Sequence, residues 1–542
     1  MRRRKTCLLL GASLLLLLLL AGIYSYQIYM DYRVPVSYIG RVMSVPIVED
    51  LNFLNGKKKE ISEQNPGVYF GKALLPYSSD GTLYLSQNFA KEAWEGELTT
   101  ESRDTFLCTL SDAAWEDKAG SIRDNHHFKL WLVGEDCYYE LSLVVCGMPV
   151  MSLTTKRSEE QDLGDYDTDP DRFCYDPDVI YYGEVQVFNP SVGVSQYEIL
   201  ESGVRYYLRG DSSSSFEKKS YSIGLLDAKG ETLNASLLGM RSDNRWKLKS
   251  MVADTKKIRE KTACQIWEEF ARTNGEVNEA GPRMEYLELV IDNDYVGFYG
   301  LVEPVDAKKL GLDKNDVLYK STNWLVPEDE DIQYAIDHQW KLMTYIRIRY
   351  PDPIADHTKS WYPMRDYLNT FYHGAGDERP VESKLYLSNA VDMLLFNMAV
   401  SGSDNYFKNL YFVADVSESG DYTMRQIPWD LDLTFGAIVS GGFKDNETVV
   451  YEEAAVPFLR DTRPELIRPY LQERWTQCRE TFLDTDNILN LMRANQDYLL
   501  NSGVMERENE RWPDFKMSTN IDALEDYQIR RMNWLDEYFA NY

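Results

Sequence analysis

Apolar and polar positions follow two different periods along this chain. Between residues 67 and 157, short aromatic and aliphatic runs alternate with polar residues between turn signals, which predicts the strands of a β-rich module. The alternation resumes near residue 181 and is interrupted by one amphipathic stretch, residues 254–272, with helical spacing. Beyond residue 306 helical spacing dominates, as in the apolar stretch 388–400. The pattern predicts an α+β protein in which strands precede most of the helices.

The N-terminus has the pattern of a membrane anchor. A basic flank, Met1 to Lys5, precedes an uncharged, mostly apolar run from Cys7 to Tyr24. About 18–20 apolar residues suffice to cross a bilayer, whereas the apolar part of a cleaved signal peptide usually has about 7–15. The basic flank predicts that the N-terminus stays in the cytoplasm and that the rest is exported. We expect residues 1–26 to form an uncleaved anchor; the alternative is secretion after cleavage near Ala21.

Polar and acidic stretches divide the rest of the chain. Residues 27–66 are predicted to be a juxtamembrane connector, and residues 158–180 an acidic linker between the β-rich module and a large domain at 181–542. The aspartates of residues 159–171 are spaced as in a calcium loop, but this run lacks the glycine and terminal glutamate of an EF-hand. A solvated linker is therefore the favoured interpretation.

Composition and charge narrow the possible partners. The 542 residues are 44% hydrophobic and 13% aromatic, enough for a sizeable core. The net charge of −29 disfavours non-specific binding to nucleic acid or to anionic lipid and favours a basic partner. Seven cysteines and five histidines include no CxxC pair and no zinc-ligand spacing, so a structural zinc site is not expected. Export would permit disulfides; buried free thiols are the alternative.

The most informative stretch is residues 404–436. Asp404 and Asn409 lie five residues apart in a polar loop, and Asp430 and Asp432 follow two short predicted strands. Phosphoryl transfer needs a carboxylate that orients a hydroxyl, together with an amide and a second carboxylate that hold a divalent metal on the nucleotide phosphates. Protein kinases keep their catalytic Asp and metal-binding Asn at the same five-residue spacing. The stretch therefore predicts a phosphoryl-transfer site.

Each acidic residue of this stretch has an assigned role and a simpler alternative. We assign Asp404 to orienting and deprotonating the acceptor hydroxyl, and Asn409 and Asp430 to binding Mg²⁺. Asp432 is the reserve metal ligand, because on an extended strand it shares a face with Asp430. Asp and Asn also favour turns for their own sake, so each could be a turn residue or a cap.

A second motif is the hydroxyl-rich loop Gly210 to Ser215 between two predicted strands. Backbone N–H groups and serine hydroxyls can cradle a phosphate, and Lys218 or Lys219 can neutralise its charge. Lys219 is favoured because it shares a strand face with Tyr221. Taken alone, such a loop is more often a solvated hairpin.

Residues 404–436, with residues 209–221 and 295–303, resemble the CotH kinase family, named for the spore coat protein kinase CotH. The resemblance implies an atypical bilobal protein-kinase-like fold, with a small lobe at about 181–305 and a large lobe at about 306–542. It implies transfer of the ATP γ-phosphoryl group, with Mg²⁺ or Mn²⁺, to Ser/Thr of exported, spore-coat or surface proteins. The expected nucleotide-binding residues are Arg209, Ser213, Ser214, Lys218, Lys219 and Glu303, and the expected metal ligands are Asn409, Asp430 and Asp432.

Two points follow from the same resemblance. Glu303 leads into the hinge between the lobes, where adenine is expected to bind backbone groups. The amphipathic stretch 254–272 corresponds to the helix whose glutamate pairs with the phosphate-binding lysine. Whether that glutamate is Glu260, Glu268 or Glu269 is left open.

Two other classes of protein remain as alternatives. The first is a non-catalytic surface or cell-wall binding or scaffold protein with a degenerate kinase fold, which would bind no nucleotide. The second is a hydrolase that uses an aspartate pair, as glycosidases use two carboxylates. In a hydrolase, the lysine and the serine loop would have no reason to face the acids.

Overall fold

The computed structural model describes residues 38–54, 56–59, 65–102, 104–161, 179–190, 197–210, 215–275, 281–343, 345–438, 442–518 and 520–542. The predicted anchor, residues 1–26, and most of the predicted linker lie outside the described residues. Within the described part of the chain, no helix is both long enough and apolar enough to span a bilayer. The chain divides into two compact units, the first ending at Val144 and the second running from Val145 to Tyr542, with residues 86–90 and 122–125 belonging to the second.

The first unit is rich in short strands, as the alternating pattern predicts. Its strands, two of which end in the second unit, are β1 (Tyr38–Val42), β2 (Val45–Val48), β3 (Lys57–Lys58), β4 (Val68–Phe70), β5 (Ala73–Leu74), β6 (Thr82–Ser86), β7 (Leu98–Thr100), β8 (Phe106–Leu110), β9 (His127–Val133) and β10 (Cys137–Cys146). One sheet has the order β1-β2-β8-β9-β10-β3, with β6 also paired to β10, and a second has the order β5-β4-β7. Helix α1 (Lys118–Arg123) precedes β9. The prediction of a β-rich N-terminal part is confirmed.

The second unit begins with a closed barrel. Its strands are β11 (Val150–Glu160), β12 (Val179–Asn189), β13 (Glu198–Arg209), β14 (Ser220–Leu226), β17 (Arg245–Lys249), β18 (Met284–Ile291) and β19 (Asp294–Val302). Two short strands outside the barrel, β15 (Ala235–Ser236) and β16 (Ser242–Asp243), pair with each other. Parallel pairing of β11 with β18 closes the barrel, so no edge is left open. Inward side chains such as Leu153, Trp246 and Leu287 fill its interior.

A second sheet follows the barrel. Its strands are β20 (Val317–Ser321), β21 (Leu342–Met343), β22 (Ile346–Tyr350), β23 (Leu410–Val416) and β24 (Tyr422–Pro428), in the antiparallel order β21-β22-β20-β23-β24. We call it the five-stranded sheet. Strands β23 and β24 form the hairpin that the sequence predicts between Asn409 and Asp430. The two ends of the acidic stretch are therefore brought side by side, because Leu410 pairs with Pro428.

Helices complete the second unit. They are α2 (Arg259–Thr273), α3 (Ala307–Leu310), α4 (Asp329–Asp337), α5 (His357–Phe371), α6 (Leu387–Val400), α7 (Ala455–Thr462), α8 (Pro464–Arg479), α9 (Thr485–Asn501), α10 (Val504–Arg511) and α11 (Asp522–Ala540). Helix α6 is buried on nearly all sides, as its apolar sequence requires, and confirms the helix predicted at 388–400. It ends at Val400, and the left-handed backbone of Ser401 (φ 52°) turns the chain toward Asp404.

The described cysteines are free thiols and form no disulfides with one another. Cys108, Cys146, Cys264 and Cys478 are buried free thiols, and Cys137 is a half-buried one. Burial raises the pKa of Cys108 to about 12, so its thiol stays protonated at neutral pH. Among the described cysteines, small apolar packing is therefore the role that fits.

Candidate active site

A cavity of about 440 Å³ lies within the second unit, with one wall from the barrel and one from the five-stranded sheet. Its lining carries more positive than negative side chains. The seven cationic residues are Arg209, Lys247, Lys249, Lys320, Arg347, Arg349 and Lys408, and the four acidic residues are Glu260, Asp404, Asp430 and Asp432. In a chain with a net charge of −29, this is a local reversal of sign. A cleft of this kind attracts an anionic ligand.

Lys249 is the centre of the ion pairs in this cleft. Its ammonium contacts the carboxylate of Glu260 and lies 2.5 Å from Oδ1 of Asp430. The ammonium also lies 5.0 Å from the centroid of the Trp429 ring. Burial lowers the pKa of Lys249, but attraction to Asp430 and Glu260 outweighs burial, and the pKa lies above its ordinary value. Lys249 therefore stays charged at any physiological pH.

Strand alternation explains how Lys249 reaches the cleft. In β17 the side chains of Trp246 and Leu248 point into the barrel core, so Lys247 and Lys249 point to the other face. Helix α2 supplies the partner, because Glu260 is its second residue and is buried against the cleft. Of the three glutamates that the sequence left open, the structure pairs Glu260 with a lysine.

The loop after helix α6 holds Asp404. Its carboxylate is buried, and Oδ2 accepts a hydrogen bond from Nδ2 of Asn409 at 2.8 Å and pairs with Nζ of Lys408 at 3.0 Å. Oδ1 of Asp404 is buried and accepts no hydrogen bond from the described residues. Burial raises the pKa of Asp404, although Lys408 opposes this. A buried acceptor without a donor suits the hydroxyl of an acceptor substrate.

Asn409 and Asp430 flank the hairpin at the mouth of the cleft. Both have left-handed backbone, with φ 57° at Asn409 and φ 60° at Asp430, a conformation that Asn and Asp tolerate better than other side-chain-bearing residues. The turn requirement alone thus explains part of this residue choice. It does not explain why both side chains line the same cavity as Asp404 and Asp432.

Asp430 and Asp432 have opposite electrostatic settings. Burial disfavours the charge of Asp430, but attraction to Lys249 outweighs burial and holds the pKa of Asp430 below its ordinary value. For Asp432, burial and repulsion from Asp430 and Glu260 act together and raise the pKa well above its ordinary value. Neighbouring carboxylates with pKa values pushed apart are typical of functional sites. A cation next to Asp432 would restore its charge.

The donor set fits a magnesium ion shared with phosphates. Within the described residues, no three Asp, Glu, His or Cys side chains converge to form a metal site by themselves. Mg²⁺ is usually bound through one or two carboxylates together with substrate phosphates. Asn409, Asp430 and Asp432 supply such a partial set on the cavity wall, and burial and neighbouring carboxylates outweigh the attraction of Asp432 to Lys249.

Two lysines that the sequence interpretation favoured do not line the cleft. Lys218 is fully buried, where its ammonium pairs with Glu508 and donates to the carbonyl of Phe298 at 2.6 Å. Lys218, two residues before β14, meets helix α10, which carries Glu508, instead of the cavity. Lys219 is also absent from the cavity lining, and its carbonyl accepts a hydrogen bond from the hydroxyl of Tyr299 at 2.8 Å. The expectation that either faces the acids is corrected by this geometry.

The other predicted nucleotide-binding residues have mixed positions. Glu303 is buried, pairs with Lys309 and accepts from the backbone N–H of Arg241 at 2.9 Å, so its side chain is used within the fold. Ser213 and Ser214 lie outside the described residues. Arg209 lines the cavity at the end of β13, and its role in nucleotide binding stays a prediction.

Lys249 is the functional candidate that sequence reasoning missed. A signal was available: residues 245–249 alternate between polar and apolar, and the helix carrying Glu260 follows closely. This is the strand-then-helix order of the lysine–glutamate pair in protein kinases. The serine-rich loop instead favoured the lysines next to it, Lys218 and Lys219.

Comparison with known proteins agrees with the geometry. The family model described as CotH kinase protein matches residues 206–535, more than half of the chain. The matched segment contains every cavity-lining residue. A search of curated proteins finds no match. The chain therefore belongs to the CotH kinase protein family.

Proposed function

We propose that this protein is an ATP-dependent kinase that transfers the γ-phosphoryl group to a Ser or Thr hydroxyl of a protein. The observation that carries the proposal is the contact of Lys249 with both Glu260 and Asp430, beside the buried carboxylate of Asp404. In protein kinases, a strand lysine bound to a helix glutamate orients the nucleotide phosphates, and the metal-binding Asp lies next to it. The barrel then serves as the small lobe, and the five-stranded sheet with its helices as the large lobe.

Each cleft residue has a role in this proposal. Lys249 binds the phosphates, and Glu260 holds its ammonium in place. Asn409 and Asp430, with Asp432 nearby, hold Mg²⁺ or Mn²⁺. The metal supplies positive charge that neutralises the phosphate oxygens during transfer.

Asp404 acts on the acceptor. Its free Oδ1 accepts the hydrogen bond of the acceptor hydroxyl and takes the proton as the hydroxyl oxygen bonds to the γ-phosphorus. The bond from the γ-phosphorus to the bridging oxygen breaks, and ADP leaves. Lys408, 3.0 Å from Oδ2 of Asp404, opposes the effect of burial on the pKa of this carboxylate and offsets charge on the transferred group.

The cellular setting is part of the same proposal. The basic flank and apolar run of residues 1–26 support a membrane anchor with the N-terminus in the cytoplasm and the kinase domain exported. The acceptor is then an exported, coat or surface protein. N-terminal sequencing of the mature protein tests the anchor. An N-terminus that lies after the apolar run would mean secretion after cleavage instead.

Labelled ATP and an aspartate variant test the proposal. The purified full chain is incubated with γ-labelled ATP, Mg²⁺ or Mn²⁺ and a Ser/Thr-rich acceptor protein. We expect Asp404→Asn to lower phosphoryl transfer by about 10²–10⁴-fold, because it removes the proton acceptor, while ATP still binds. Asp421→Asn, in the exposed turn of the same hairpin, is the matched control and should leave the rate unchanged.

Other outcomes separate the alternative functions. A protein that binds no nucleotide in the presence of either metal would be a scaffold with a kinase-like fold. Transfer that persists in Asp404→Asn at the unaltered rate would remove Asp404 from the mechanism and the proposal with it.

A further inference from the structure

The cleft contains more positive charge than the phosphate-binding lysine supplies. On the five-stranded sheet, Lys320 of β20 lies directly opposite Arg347 of β22 in the antiparallel register. Arg349 follows two residues later, at an irregularity in the pairing of β22 with β20, and all three line the cavity. Like charges placed directly opposite each other destabilise a sheet. Three cations lie together on this wall of the cavity.

The barrel adds to the same group from the facing wall. Lys247 of β17 points into the cavity, and its ammonium donates to the hydroxyl of Ser222. Burial, followed by repulsion from Arg209 and Arg349, lowers the pKa of Lys247 well below its ordinary value. Among the described residues, no carboxylate forms an ion pair with Lys247, Lys320 or Arg349. Lys249, by contrast, has two carboxylate partners.

Position links this group to the acceptor end of the cleft. Strand β20 carries Lys320, and the chain continues through Thr322, which lines the cavity, to Trp324. The Trp324 ring lies 4.1 Å from the ammonium of Lys408, the partner of Asp404. Lys320 and Asp404 line the same cavity. An acceptor peptide advances about 3.3 Å per extended residue, so residues a few positions from a hydroxyl at Asp404 lie within the same cleft as Lys320.

We propose that Lys247, Lys320 and Arg349 form a second anion subsite that binds a carboxylate or phosphate group of the acceptor. Resting on the proposed kinase function, this assigns the acceptor to acidic or already phosphorylated Ser/Thr peptides. Clusters of Arg and Lys recognise such groups in many peptide-binding proteins. The net charge of −29 favours basic partners, but charges beyond about 10 Å are largely screened at physiological salt, so the local charge governs a ligand inside the cleft.

Matched peptides test the subsite. Four peptides of one sequence carry Glu, phosphoserine, Ala or Lys three residues from the acceptor Ser, and are compared on the full chain and on Lys320→Met and Arg349→Met. We expect each substitution to raise KM for the Glu and phosphoserine peptides at least 10-fold. KM for the Ala and Lys peptides and the Kd for ATP should change less than 2-fold. Lys314→Met, an exposed lysine just before β20, is the control.

Comparison of the two anionic peptides distinguishes a carboxylate site from a phosphate site. An equal rise in KM for all four peptides together with a weaker Kd for ATP would show that these cations bind nucleotide phosphates, and would overturn the proposal. Both variants should keep their melting temperature or raise it, since they remove repulsion. A variant that melts earlier is set aside in favour of the other.

Peptide binding without nucleotide separates this inference from the proposed function. Fluorescently labelled peptides are titrated into the full chain with neither ATP nor metal. Preferential binding of the Glu and phosphoserine peptides, weakened by Lys320→Met, supports the subsite even if no phosphoryl transfer is found. Equal binding of the Lys and Glu peptides overturns the subsite even if transfer is found.

Discussion

Two lysines of the barrel, Lys218 and Lys249, illustrate how a structural ion pair differs from a functional one. Both are buried and both contact a glutamate from a helix, Glu508 for Lys218 and Glu260 for Lys249. Lys218 has no opening to the cavity, whereas Lys249 also reaches Asp430, whose side chain is 40% exposed. Only Lys249 can therefore exchange a protein partner for a ligand.

The pKa shifts of the two lysines differ in sign. For Lys218, burial outweighs attraction to Glu508 and lowers the pKa to about 8. For Lys249, two carboxylates outweigh burial and raise the pKa above its ordinary value. One carboxylate compensates a buried ammonium only in part, and a second one holds it firmly charged.

The largest expected effect is on stability. Lys218→Met leaves Glu508 buried without its cation, and breaking a buried pair in this way costs about 3–5 kcal/mol in the free energy of unfolding. Urea unfolding of the full chain measures this. Activity per folded molecule should be retained, because Lys218 does not line the cleft. The double variant Lys218→Met/Glu508→Gln should recover part of the loss; a Lys218→Met protein that is stable but inactive would reverse the assignment of the two lysines.

The next largest effect is on catalysis. Lys249→Met removes the cation that faces the phosphates, and loss of one such stabilising group typically lowers kcat about 10²–10³-fold. Transfer of label from ATP measures it, and circular dichroism confirms that the fold is kept. Retained activity in this variant would contradict the site as described.

A smaller effect separates the glutamates of helix α2. Glu260→Gln should lower activity about 10–100-fold, because a charge-assisted hydrogen bond to Lys249 contributes about 1.5–3 kcal/mol. Glu268→Gln, on the exposed side of the same helix, should leave the rate within 2-fold, an approximate bound for surface changes. The two rates are compared at saturating ATP. Equal losses would mean that the helix acts as a whole.

The smallest effect is a pH dependence at Lys320. Burial, and then repulsion from Arg209, lowers the pKa of Lys320 from 10.5 to about 7; Asp430 opposes this, while Arg349 and Lys249 add to it. Between these pKa values the unfolded chain holds a proton that the folded protein has lost, so this residue's contribution to stability rises with pH from about 7 to 10.5. Below pH 7 both states are protonated and the cost of the buried charge is fully present.

Lys320→Met checks this sign. The variant should be more stable than the original chain at pH 6.5, and its advantage should shrink at pH 8.5, as measured by urea unfolding at both values. Lys218 is present in both proteins, so its own titration cancels in the difference. An advantage that is equal at both pH values would mean that Lys320 does not titrate in this window.

Local features of the site could be predicted from sequence. Asp404, Asn409, Asp430 and Asp432 belong to one stretch of chain, and a hairpin between them needs only alternating residues and a turn to form. The helix before Asp404 was predictable for the same reason, since thirteen consecutive, mostly apolar positions indicate a buried helix. These predictions depended on neighbours in sequence.

The choice of lysine could not be made in this way. Lys218, Lys219, Lys247 and Lys249 all lie on or next to barrel strands, and alternation says only which of them share a face. Which face meets the acids depends on how the barrel closes and on where helix α10 brings Glu508. Those are contacts between residues hundreds of positions apart.

The sequence by itself determined the family, the α+β class and the acid and amide groups of the cleft, because these reside in short continuous motifs whose geometry is local. Tertiary structure alone decided that Lys249 and Glu260 join them, that Lys218 is a core residue, and that Lys247, Lys320 and Arg349 share one cavity. The physical reason is that electrostatic partners are chosen by distance in space and by burial, and neither is encoded at any single position of the chain.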